Sequence, residues 1–119
     1  MAKPADKAKE VKIFDMTIVI PRQVTMDKYG YDEALYLEKL EKQNYKCPIC
    51  GKTPSTGKFV IDHEHVKNYK KLPPELRRKH VRGILCYFCN RFYMAKAMTT
   101  EKAKNVIEYL GRYQARLTE

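Results

Sequence analysis

A single small α+β domain held together by a structural metal ion is the fold class that this sequence predicts, on three observations. Two Cys-x-x-Cys pairs, Cys47/Cys50 and Cys86/Cys89, stand well apart in the chain and supply four soft ligands. Short β-prone runs alternate with segments of helical periodicity. At 119 residues the chain is below the size at which domains usually divide, and a core this small gains from a metal staple.

The elements follow in order. Residues 1–10 are polar and rich in Lys and Ala, and read as a frayed arm. Val11 to Ile20 are β-prone and stop at Pro21, so residues 1–27 are expected to form an arm or an edge strand ahead of the domain proper, residues 28–119. Tyr29-Gly30-Tyr31-Asp32 reads as a turn, with Asp32 capping a helix on which Ala34, Leu37 and Leu40 share an apolar face. Cys47-Pro48-Ile49-Cys50-Gly51 is a tight turn. Phe59-Val60-Ile61 predicts a strand that delivers Asp62 and His63 at its end. Asn68 to Lys79 predicts a loop with a helical turn after Pro73-Pro74, and Val81 to Leu85 a second strand interrupted by Gly83. Cys86-Tyr87-Phe88-Cys89 is the second tight turn, opening a helix through about Ala97. A last helix starts near Thr99 or Thr100 and carries Ala103, Val106, Ile107 and Leu110 at helical spacing.

Composition narrows the function. The net charge is +10, and +6 of it falls in residues 66–82, where seven basic side chains meet one acidic. Six of the seven, Lys67, Lys70, Lys71, Arg77, Arg78 and Lys79, form one basic loop, and Arg82 follows it. Such density suits a polyanion, and nucleic acid is the obvious one. No run approaches the roughly 18 apolar residues of a membrane span, and Met1-Ala2-Lys3-Pro4 lacks the apolar core of a signal peptide, so a cytosolic protein is expected, with no membrane partner. In a reducing compartment paired cysteines favour metal over disulfides. One Zn²⁺ per chain through Cys47, Cys50, Cys86 and Cys89 is therefore expected. A rubredoxin-like iron site is the weaker alternative, because no glycine follows Cys89.

Between the pairs lies the opposite chemistry. Asp62-His63-Glu64-His65 and Asn90 offer oxygen ligands for a hard cation and imidazoles that can move a proton. On an extended strand His63 and His65 would share one face, with Asp62 and Glu64 on the other. A bend at the strand end would let Asp62 turn toward the site. His80 stands apart and reads as a surface residue within reach of phosphate.

These residues resemble a known family. Asp62-His63-Glu64-His65 and Val81-Arg82-Gly83-Ile84-Leu85-Cys86-Tyr87-Phe88-Cys89-Asn90 look like the recombination endonuclease VII family of phages, within the His-Me finger (HNH-type) nucleases. The likeness extends from Tyr29-Gly30-Tyr31 through Cys47-Pro48-Ile49-Cys50-Gly51 to Ile107-Glu108-Tyr109-Leu110. It implies a zinc-stapled ββα-metal finger with flanking helices. It also implies that His63 is the general base, that Asp62 and Asn90 hold one catalytic Mg²⁺ or Mn²⁺, that His65 is accessory, and that Arg82 contacts phosphate. Two departures are visible: Tyr93 stands where relatives can carry glutamate, and the Val66–His80 loop is longer and more basic than in many relatives.

The sequence thus predicts an endonuclease cutting DNA phosphodiesters to 5′-phosphate and 3′-hydroxyl ends, on branched junctions or on plain duplex. A homodimer is left open. The rival is a non-catalytic zinc-dependent DNA-binding protein, which accounts for the cysteines and charge but not for Asp62, His63 and Asn90 in this order.

Overall fold

The computed structural model describes residues 6–94 and 98–118. Among the described residues, four strands form two antiparallel pairs, β1 (Lys9–Ile13) with β2 (Met16–Ile20) and β3 (Val60–His63) with β4 (Val81–Leu85). Four α-helices accompany them: α1 (Gln23–Asp27), α2 (Glu33–Lys42), α3 (Pro74–Lys79) and α4 (Thr100–Leu117). The fold class is α+β, as the sequence predicts.

The first β-prone run is a hairpin rather than one strand. The chain reverses at Phe14-Asp15, with Phe14 in the left-handed region at φ 54°, and Ile13 pairs with Met16. Phe-Asp is not a turn dipeptide with a left-handed preference, so the pattern hid the reversal. Ile18 and Ile20 then enter the same core as Met26, Tyr36, Leu40, Phe59, Ile61 and Ile84. Within residues 6–27, Lys9 and Glu10 belong to β1, and Asp6 accepts the amides of Gln23 and Val24 at the start of α1. Gly57 closes the far side of the hairpin. Its carbonyl accepts Val19 N–H at 2.9 Å, and a Cβ there would lie 2.1 Å from the Thr17 carbonyl oxygen at φ +71°. Only glycine fits so close an approach.

Asp32 caps α2, accepting Leu35 N–H at 2.8 Å. The buried face of α2 is Tyr36 and Leu40, with Ala34 exposed, so the expected Ala34–Leu37–Leu40 face is rotated toward Tyr36. Beyond the helix, Gln43 acts as a substitute strand. Its side chain donates to Ile84 O at 2.8 Å and accepts Ile84 N–H at 2.9 Å, satisfying the open edge of β4. That bond fixes β4 against α2 and seats Ile84, fully buried, whose side chain contributes about 1.5–3 kcal/mol.

The helix expected after Cys89 is a five-residue π-helical segment, Cys89–Tyr93. The end expected near Ala97 lies outside the described residues. Thr99 caps α4, accepting Lys102 N–H at 3.1 Å. The apolar stripe of α4 is exposed among the described residues, at Val106, Ile107 and Leu110 alike. No helix among the described residues is long and apolar enough to cross a membrane.

Candidate active site and metal centre

The two cysteine turns meet in space. The sulfurs of Cys47, Cys50, Cys86 and Cys89 all lie within 4.8 Å of one another, and Cys50 Sγ is 3.9 Å from Cys86 Sγ. A tetrahedral ion with Zn–S bonds of about 2.3 Å needs sulfurs roughly 3.8 Å apart, so the cluster could hold zinc. Gly51, at φ +73°, turns the first loop so that Cys47 N–H reaches Lys52 O and Gly51 N–H reaches Cys47 O. Burial disfavours the Cys47 thiolate, but hydrogen bonds from the backbone of Cys50, Cys86 and Ile49 outweigh it and bring the thiol down to about 7. Cys89 moves the other way: burial, then the neighbouring Cys86, Cys47 and Cys50 sulfurs, push its thiol up. Four thiolates cannot crowd here uncompensated, and a divalent cation is the compensation such a donor set fits.

The β3–β4 ladder pairs Asp62 with Gly83 and then skips, placing His63 opposite Val81. Arg82 is the extra residue of this bulge. In an unbroken register it would stand opposite His63 and share that residue's face; the bulge re-aims it. Its guanidinium grips Asp62 through Nε to Oδ2 at 2.8 Å and Nη2 to Oδ1 at 2.9 Å. Asp62 is 4% exposed, so this pair is what allows a carboxylate here. Each carboxylate oxygen keeps a second lone pair, so Asp62 retains capacity for a hard cation while holding Arg82.

One residue on, His63 sits in a ring of aromatics. Its ring centroid lies 4.4 Å from Tyr69, 4.7 Å from His65 and 5.3 Å from Tyr29. The expected common face of His63 and His65 is present. Burial lowers the His63 pKa, the charge of His65 adds to this, and Asp62 opposes it, so the neutral imidazole is favoured. His80 is not solitary, as its place in the sequence suggested: its Nδ1 meets Glu64 Oε1 at 2.9 Å.

The basic segment is ordered into a 3₁₀ turn, Tyr69–Lys71, and α3, which starts with proline at its first position. His63, Tyr29 and Tyr69 line a cavity of about 420 Å³ together with Lys28, Lys70 and Arg77. Two of the expected phosphate contacts, Lys70 and Arg77, thus converge on His63. Lys67, Arg78, Lys71 and Lys79 lie on the same segment but do not line that cavity. Asn90 sits half-buried in the π-helical segment behind Cys89, its N–H donating to Cys86 O at 3.1 Å. Lys28, Tyr29 and Tyr69 are the site residues that pattern reasoning missed. They sit in a helix end and two turns, where no spacing rule marks them.

With this geometry in view, comparisons with known proteins place the chain. A sequence profile described as recombination endonuclease VII matches residues 22–112. No curated protein and no solved structure matches.

Proposed function

The chain belongs to the recombination endonuclease VII family, and we propose that it is a metal-dependent endonuclease of the His-Me finger type. It hydrolyses DNA phosphodiesters to 5′-phosphate and 3′-hydroxyl ends, with branched junctions or plain duplex as substrate. The observation that carries this reading is the seating of His63. A half-buried imidazole, its pKa lowered by burial, follows Asp62 at the end of β3 and opens onto a cavity lined by Lys28, Lys70 and Arg77.

In this reading His63 takes the proton from the attacking water, a role that a neutral imidazole near its working pH performs well. Lys28, Lys70 and Arg77 hold the phosphate backbone over it. Asp62 and Asn90 hold Mg²⁺ or Mn²⁺, oxygen donors of the kind a hard cation selects. When bound, that ion stabilises the charge developing on the phosphate and on the leaving 3′ oxygen. Arg82 keeps Asp62 oriented and has guanidinium donors left over for a phosphate oxygen. His65 packs on His63 as an accessory group, and the four cysteines hold one structural Zn²⁺.

The test uses the protein with Mg²⁺ on supercoiled plasmid and on a synthetic four-way junction, alongside His63→Ala. Cleavage by the native chain and none by His63→Ala, with DNA affinity retained, is the expected result. Binding without cleavage by the native chain would support the rival reading, a zinc-dependent DNA-binding protein.

A further inference from the structure

His63 is useful as a base only if its imidazole points at one place, yet it lies at the end of β3, where the ladder skips a residue. Something beyond the strand must fix it. The closest ring is Tyr69, stacked at 4.4 Å between centroids and 29° between planes, whereas Tyr29 and His65 are tilted by more than 50°. Tyr69 is 9% exposed and anchored at both ends. At its backbone, Asn68 in the left-handed region at φ 60° starts the 3₁₀ turn. At its tip, the hydroxyl donates to the Arg77 carbonyl oxygen of α3 at 3.0 Å. A tyrosine serving the apolar core would face the aliphatic side chains around Ile61 and Ile84. This one turns its face to an imidazole instead, and lines the cavity that His63 opens into.

We infer that Tyr69 is a positioning residue for His63, a flat platform tied to α3 that fixes the plane of the imidazole facing the cavity. The inference rests on the reading of His63 as the general base. Stacking favours one relative orientation of two rings beyond the area that they bury, so a fixed ring can orient its neighbour. A catalytic group displaced by about 1 Å can lose two orders of magnitude in rate, so such a platform affects turnover far more than affinity.

Tyr69→Leu keeps apolar volume and removes the flat face, while Tyr69→Phe keeps the face and removes only the hydroxyl anchor. On the four-way junction with Mg²⁺, Tyr69→Leu should lower kcat by about 10- to 100-fold with KM little changed. Tyr69→Phe should recover most of that loss. A second readout does not depend on cleavage. In the native chain the His63 ring protons should be shifted upfield by the Tyr69 ring current, retained in Tyr69→Phe and lost in Tyr69→Leu. Should Tyr69→Leu fail to fold, the native spectrum and Tyr69→Phe still decide: no upfield shift, or a Tyr69→Phe variant as slow as His63→Ala, overturns the platform. A folded Tyr69→Leu with native kcat overturns it too. His63→Ala is assayed in parallel to separate the two failures. If His63→Ala cleaves, the general-base reading falls; if it is dead while Tyr69→Leu is fully active, only the Tyr69 inference falls.

Discussion

Arg82 and Asp62 form a two-bonded ion pair across the β3–β4 bulge, with the carboxylate buried and the guanidinium about a third exposed. The hydrogen bonds that Arg82 donates to the Asp62 carboxylate hold the Arg82 pKa above its ordinary value against the opposing effect of burial. The relationship is asymmetric. Arg82 could find water if Asp62 were absent, but Asp62 without Arg82 would be a buried charge with no partner.

Arg82→Ala should therefore destabilise the fold more than Asp62→Asn does. Breaking a fully buried pair costs about 3–5 kcal/mol, and the partial exposure of Arg82 reduces this to roughly 2–3 kcal/mol. Urea denaturation of both single variants and of the double variant measures the coupling. If Arg82→Ala unfolds at the native midpoint, Asp62 does not depend on its partner.

The pH profile should report the environment of His63. Burial and the charge of His65 lower its pKa from the ordinary 6.5, which favours the neutral imidazole that the proposed general-base role needs. The acid limb of kcat/KM should then be centred below 6.5. The sign for stability agrees: a histidine depressed in the folded state contributes stability above its unfolded value and loses it as pH falls through the folded one. An acid limb at or above 6.5 would show that Asp62 outweighs burial.

Much of this site was legible in the sequence because its chemistry is local. Cys-x-x-Cys fixes a turn, and Asp62 and His63 are adjacent, so one strand had to deliver both. What stayed hidden depended on contacts across the chain. The bulge that turns Arg82 onto Asp62 leaves no mark in Val81-Arg82-Gly83. Glu64 and His80 meet only because the ladder continues past His63 to Glu64 N–H and His80 O. The Phe14 turn lacks the glycine or asparagine that signals reversal. Tyr36 could be placed on a helix, but not recognised as a fully buried tyrosine whose hydroxyl has no hydrogen-bond partner among the described residues.

Removal of zinc should unfold the domain rather than merely inactivate it. Cys47 and Cys89 pack with Leu85 at the end of β4, so the cysteines proposed to hold the metal are also a core. Metal analysis should find about one zinc per chain, and a strong chelator should abolish the near-ultraviolet circular dichroism together with cleavage. A Cys47→Ser/Cys86→Ser variant that folds normally would remove the structural role of the cluster.

The last expectation separates backbone contact from base reading. Lys70 and Arg77 are the two cations of the basic segment that line the His63 cavity, and lysine and arginine beside the proposed base suit phosphates. Each phosphate neutralised on duplex DNA adds roughly 0.9 to the slope of log affinity against log salt. Lys70→Ala/Arg77→Ala should therefore weaken binding to all sequences alike and flatten that slope by about two units. The backbone carbonyl of Arg77 survives the substitution, so the Tyr69 anchor stays and folding should be unaffected. Binding titrations from low to moderate salt on two unrelated duplexes measure this. A slope unchanged in the double variant would mean that these cations face solvent in the complex, and a loss confined to one duplex would mean that they read bases.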